Sequence, residues 1–110
     1  MHEAINVCWE CRATCNDILF NYCLKTGGEH VEEAHVKLMM DCIQMCQTSA
    51  DFMTRNSELH MAICNACADV CDKCAESCEK IDCTTMKRCA EACRRCAESC
   101  RNMANMKKAA

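Results

Sequence analysis

The spacing of sixteen cysteines constrains this chain more than any other feature. They stand at 8, 11, 15 and 23; at 42 and 46; at 64, 67, 71, 74 and 78; at 83; and at 89, 93, 96 and 100. Within each group the steps are three, four or eight, the period of a helix and not the alternation of a strand. Between the groups lie breaks. Gly27-Gly28 can take the left-handed backbone that ends helices. Asn56-Ser57 makes a second break with Ser57 as N-cap, and Asp82 to Thr85 a third, capped by Asp82 or Thr84. The spacing predicts helices near 3–26, 30–54, 57–80 and 85–106, joined by connections so short that neighbours run antiparallel. The expected fold class is all-α, an antiparallel up-down-up-down four-helix bundle with a Cys-lined core, in a single domain over residues 1–110.

Composition says what such a bundle has inside. Leu, Ile, Val and Phe total 15 of 110 residues, about 14% where a chain that folds by burying them has at least roughly 20%. The net charge of −3 is too small to argue for disorder instead. Cysteine fills the deficit by position. The 3-4-3-4 steps from Cys64 to Cys78 and the 4-3-4 steps from Cys89 to Cys100 are the a/d seam of a bundle helix. Cys8, Cys11 and Cys15 start the same line in the first helix, with Cys23 two turns further on. Cys42 and Cys46 occupy it in the second, with His35 one heptad before Cys42 and Met53 one heptad after Cys46. One or two buried thiols are ordinary small hydrophobes. A whole seam of them buries far less apolar area than Leu and Ile would, and reads as a ligand array.

The expected compartment is the cytoplasm, where thiols stay reduced and many cysteines read as metal ligands. The segment Met1 to Cys8 has no basic leader, apolar stretch or small-residue cleavage site. No apolar run of about 18 residues suggests a membrane span. Softness and charge then choose the metal. Thiolates favour Cu(I), Zn(II) and iron–sulfur clusters. One or two iron–sulfur clusters use four to eight cysteines and leave the rest unexplained. Four tetrathiolate zinc sites would bury about −8 in a narrow tube with nothing basic on the seam. Cu(I), at about one per bridging thiolate, leaves the interior near neutral. The CxxxC pairs Cys11/Cys15, Cys42/Cys46, Cys67/Cys71, Cys74/Cys78, Cys89/Cys93 and Cys96/Cys100 suit a near-linear metal, whose two sulfur bonds span roughly 4.6 Å.

Other donors extend the seam. Met53, Met103 and His60 fall at the end where the first helix begins; His35, Cys83, Met86 and His30 fall at the opposite end. Thioether and imidazole both bind copper, so these are candidate ligands at the bundle mouths. Met39, Met40, Met45 and Trp9 read as packing residues.

The second half is duplicated. Residues 67–78 read CADVCDKCAESC and residues 89–100 read CAEACRRCAESC, matching at eight of twelve positions. Residues 57–82 carry six acids and two bases, and residues 83–110 two acids and seven bases. The basic run (Lys87, Arg88, Arg94, Arg95, Arg101, Lys107, Lys108) has no stacking aromatics beside it, so a face pairing with the acidic helix is favoured over nucleic-acid binding.

The stretch Cys64–Ala104, with its CADxC-x2-CAxxC and CxxCAxxC-x2-M elements, together with Asp41-Cys42 through Cys46 and Phe52-Met53, resembles the four-helix-bundle copper storage proteins, over essentially the whole chain. The resemblance implies multiple Cu(I) ions stored along the core by thiolates, many from CxxxC pairs, and a tetrameric homo-oligomer. The implied partners are copper ions and a copper donor or acceptor protein, without nucleic acid or membrane. One departure stands out: relatives often have a histidine-rich link between helices three and four, and here it reads Ile81-Asp82-Cys83-Thr84. No catalytic constellation is visible, so no enzyme is expected. Two other classes stay open: a zinc-buffering, thionein-like protein, and a thiol redox protein using a CxxC pair (8/11, 64/67, 71/74 or 93/96).

Overall fold

Steps of three and four do produce helices. The computed structural model describes residues 1–106; Lys107 and Lys108 of the basic run lie outside the described residues. Four long helices carry the cysteines: α1 (His2–Ile18), α2 (Glu33–Thr54), α3 (His60–Glu79) and α4 (Thr84–Asn105). α1 runs on through a π-helical turn, Leu19–Cys23, and a last α-helical turn, Leu24–Thr26. Contacts between neighbours run in opposite chain directions. Cys8 meets Cys100 and Cys15 meets Cys89 between α1 and α4; Cys46 meets Cys71 and Ser49 meets Cys64 between α2 and α3. The arrangement is an antiparallel four-helix bundle.

The π-helical turn explains the step of eight. Eight residues of regular helix at about 100° each overshoot the seam by roughly 80°. A π-turn, with its i→i+5 bonds, absorbs one extra residue. Cys23 therefore stands about where a heptad partner of Cys15 would, and it is fully buried.

Helix ends differ from the sequence expectation by up to three residues, each for a backbone reason. Gly27 (φ 75°, ψ −160°) and Gly28 (φ 59°) both have positive φ and break the first helix. A 3-10 turn over Gly28–Val31 then delays α2 to Glu33. α2 closes in a Schellman motif: the Asn56 N–H donates to the Met53 carbonyl (3.0 Å) and the Ser57 N–H to the Phe52 carbonyl (2.9 Å), with Asn56 at φ 52°. Ser57 is thus part of a C-terminal cap, and its Oγ accepts the Leu59 N–H at 3.1 Å rather than capping a helix that starts at His60. The last connection also corrects the expectation, since the N-cap of α4 is Cys83 in extended backbone, not Asp82 or Thr84. Asp82 instead faces Lys87 across 3.9 Å.

α3 and α4 form the tightest pair. The duplicated Cys-Ala steps bury Ala68, Ala75, Ala90 and Ala97 beside the thiols, and small side chains let helix axes approach. The outer faces pair by charge, as the sequence implied. Arg94 bonds Asp72 (3.0 Å) and Glu79 (2.8 Å), Arg101 bonds Asp72 (2.8 Å), and Arg95 reaches Glu10 on α1 (3.1 Å). No helix among the described residues is long and apolar enough to cross a membrane.

Candidate metal centre

The seam residues converge on the bundle axis. All sixteen cysteines are free thiols; fifteen are buried and Cys83 is half-buried. No lysine or arginine joins them: the buried polar side chains among the described residues are His30, His35 and Ser49.

Three sets of four thiols each draw their Sγ atoms within 4.8 Å of one another: Cys8, Cys67, Cys96 and Cys100; Cys11, Cys46, Cys71 and Cys96; Cys11, Cys15, Cys42 and Cys93. The second set takes one thiol from each helix. The sets are fused, because Cys11 and Cys96 belong to two of them. Sulfur–sulfur separations between helices run from 3.5 Å (Cys15/Cys93) through 3.7 Å (Cys46/Cys71) to 4.0 Å (Cys11/Cys93). The CxxxC pairs Cys42/Cys46 and Cys67/Cys71 stand at 4.0 and 3.8 Å. That is shorter than the roughly 4.6 Å of a linear chelate. Bent coordination, with thiols recruited from neighbouring helices, fits these distances better than isolated linear pairs.

Thiol–thiol hydrogen bonds and burial together set the protonation of the array. Burial pushes the Cys23 thiol up to about 11, so it is protonated at neutral pH. Within the fused sets, hydrogen bonds from neighbouring thiols favour some thiolates at the expense of others. The Cys100 thiol pulls Cys64 down to about 7, against its burial and with help from the Ser49 hydroxyl; Cys100 also pulls Cys96 down to about 7. Cys15, beside Cys11 and Cys42, is held well above the usual thiol range. A metal entering such a cluster displaces the shared protons.

Toward the α2 N-terminus the donors change. His35 Nε2 lies 3.8 Å from Cys23 Sγ, which lies 3.7 Å from Met86 Sδ. Burial holds His35 below its usual value, so its imidazole is neutral at pH 7. His35 Nδ1 lies 2.8 Å from Ser77 Oγ, and in the tautomer that donates Nδ1–H there, Nε2 presents its lone pair toward Cys23. A groove of about 470 Å³, lined by Glu29, Glu32, Lys73, Glu76 and Lys80 among others, opens onto His35. Beyond it the Tyr22 hydroxyl donates to Cys83 Sγ at 3.6 Å. His30 stacks edge-on against Tyr22, 5.3 Å between ring centroids, with its buried Nδ1 unpartnered among the described residues.

The fold and sequence are similar to those of known proteins. A sequence profile for the copper storage proteins matches residues 1–105. The chain belongs to the copper storage protein family. Three solved structures show how close the likeness is. A crystal structure of the Nmul_A1745 protein from Nitrosospira multiformis is 45% identical, with a TM-score of 0.90 over 94% of either chain. The Cu(I)-bound copper storage protein BsCsp3 is 33% identical, with a TM-score of 0.87 over 94% of this chain and 96% of that one. Apo-Csp3 from Bacillus subtilis is 34% identical, with a TM-score of 0.84 over 94% of this chain and 97% of that one. No curated protein sequence matches significantly.

In this copper storage family member the two bundle ends differ. His35, on the cysteine register, lies 3.8 Å from the Cys23 thiol, and Met86 lies 3.7 Å from it. Met53 and Met103 are buried at the other end, but neither bonds a thiol among the described residues. His60 Nδ1 lies 2.8 Å from the Ser57 carbonyl oxygen. Two more interior residues touch the thiols. Ser49 is fully buried, its Oγ 3.5 Å from Cys64 and 3.9 Å from Cys100. Met39, read as packing, is fully buried among Cys74, Cys78 and Cys89. Both lie on the α2 seam, seven residues before Cys46 and seven after Cys42. The heptad that singled out His35 and Met53 contains them too.

Proposed function

We propose that this chain stores or buffers Cu(I) in the cytoplasm, binding many ions through the thiolates of Cys8, Cys11, Cys15, Cys23, Cys42, Cys46, Cys64, Cys67, Cys71, Cys74, Cys78, Cys83, Cys89, Cys93, Cys96 and Cys100. His35 and Met86 serve one bundle end, and His60, Met53 and Met103 the other. The role is storage and not catalysis, carried by one domain. The carrying observation is the fusion of the tetrads through Cys11 and Cys96. Shared ligands disfavour isolated tetrathiolate zinc sites. Bridging thiolates that each take about one Cu(I) leave the cation-free interior near neutral, as divalent zinc at four thiolates per site does not. The Cu(I)-bound state of BsCsp3, at 33% identity over 94% of this chain, supports the same cargo. A redox enzyme needs one exposed reactive pair, and the CxxC thiols here are buried.

Self-association to a tetramer is supported by exposed Trp9, Phe20 and Leu24 along the first helix and by the family resemblance. Copper would pass to or from a donor or acceptor protein. The test is an anaerobic titration of the reduced chain against a chromophoric Cu(I) chelator, with Zn(II) as competitor. Uptake on the order of one Cu(I) per thiolate, unaffected by zinc, is expected from the charge balance. Saturation near four metals, or displacement of Cu(I) by zinc, would contradict it.

A further inference from the structure

The three tetrads use ten of the sixteen cysteines, and Cys74, Cys78 and Cys89 are among the six left over. All three thiols converge on one atom. Met39 Sδ lies 3.6 Å from Cys74 Sγ, 3.6 Å from Cys78 Sγ and 3.8 Å from Cys89 Sγ. Met39 is fully buried and stands on the same seam as Cys42 and Cys46. If filling space were its task, leucine would match it in volume with better-defined rotamers. The rest of the α2 interior argues for a donor. Its buried residues are His35, Met39, Cys42, Cys46, Ser49, Ala50 and Met53, so all but one carry a nitrogen, oxygen or sulfur donor on the side chain.

We propose that Met39 is a metal ligand, its thioether closing a fourth Cu(I) node with the thiolates of Cys74, Cys78 and Cys89. The proposal rests on the Cu(I) reading above and adds to it an interior donor of a different kind. A thioether is soft and neutral, a good partner for Cu(I) and a poor one for Zn(II). It also changes the charge. With the thioether as fourth ligand beside the three thiolates, a single Cu(I) carries −2 (one minus three), where a fourth thiolate would give −3 (one minus four). The lower charge is favoured in an interior without cations. Each binding thiol gives its proton to solvent, and the thioether has none to give. The node thus gains a ligand without a further ionisation.

Methionine labelled with 13C at the ε-methyl reads the sulfur directly, since Cu(I) is diamagnetic and a metal on Sδ shifts the adjacent methyl resonance. The Met39 signal is assigned by through-space contacts to Cys74 and Cys78 in the full chain. Anaerobic Cu(I) addition should move it, while the signal of exposed Met40 stays. Met39→Leu, close in volume and apolar, should keep its helical circular dichroism and hold fewer copper ions by about one per chain, the node's own share. An unmoved Met39 methyl in loaded protein, or an unchanged copper count in Met39→Leu, overturns the proposal and leaves the copper reading intact. A chain that takes up no Cu(I) overturns both.

Discussion

Cys11 takes part in two tetrads and lies 3.8 Å from Cys42; Cys83 takes part in none and is only half-buried against Tyr22. The two thiols should differ in consequence. Cys11→Ala should cost more bound copper than Cys83→Ala, measured as metal per chain after anaerobic gel filtration, and equal losses would contradict the fused-tetrad geometry. In the metal-free chain Cys83 should be alkylated before the fifteen buried thiols, since access limits reaction. Peptide mapping after brief exposure to iodoacetamide checks this. At this scale the sequence was legible wherever residue type and register agreed. Every seam cysteine is inside, and His35 and Met86 reach Cys23. Residue type alone reads Met39 as packing and gives Ser49 no role, because methionine and serine are common fillers, though their heptad positions place both on the seam. For burial on the seam, register is the better guide.

At the scale of elements, the period of the cysteines forecast the helices, but their ends depend on backbone conformations that side-chain type reports weakly. Ser57 looks like an N-cap and sits in a Schellman motif. Nothing in the sequence marks Leu19–Cys23 as a π-turn except the unexplained step of eight. The glycine break gives a sharp test. A Cβ at Gly27 or Gly28 meets nothing within 4 Å, yet both have positive φ. Alanine there should destabilise through backbone strain alone, by about 1–2 kcal/mol. Gly27→Ala should be the worse of the two, because φ 75° with ψ −160° is open almost only to glycine. Chemical denaturation of both variants measures it. The α3/α4 ion pairs add a pH dependence. Partial burial raises Asp72, but hydrogen bonds and charge from Arg101 and Arg94 outweigh it and hold the carboxyl below its usual 3.8. A carboxylate lowered on folding stabilises fully above its unfolded value, and that contribution fades as pH falls below about 3.8. Asp72→Asn should flatten this acid limb by no more than about 1 kcal/mol, as expected for a partly exposed pair.

For the whole molecule, the shortage of aliphatic residues and the surplus of cysteine are one fact. Aliphatic side chains among the buried residues are few, chiefly Val7, Ile18, Leu19 and Ile81, mostly flanking the thiols. The metal-free bundle therefore leans on small side chains, and cargo that binds only the folded state must stabilise it by mass action. Its melting temperature should climb as Cu(I) is added and level off only when the thiols are consumed. A melting temperature indifferent to copper would separate the interior from the function. The most direct measurement is native mass spectrometry of the anaerobically loaded chain, alongside a thiol count on the same sample. Each Cu(I) replacing one thiol proton should add its own mass less that of a proton. The series should continue well past four ions, toward about one per thiolate, with few thiols left to react. A series ending near four metals, or a loaded chain whose thiols still react freely, would contradict copper storage by the bundle core.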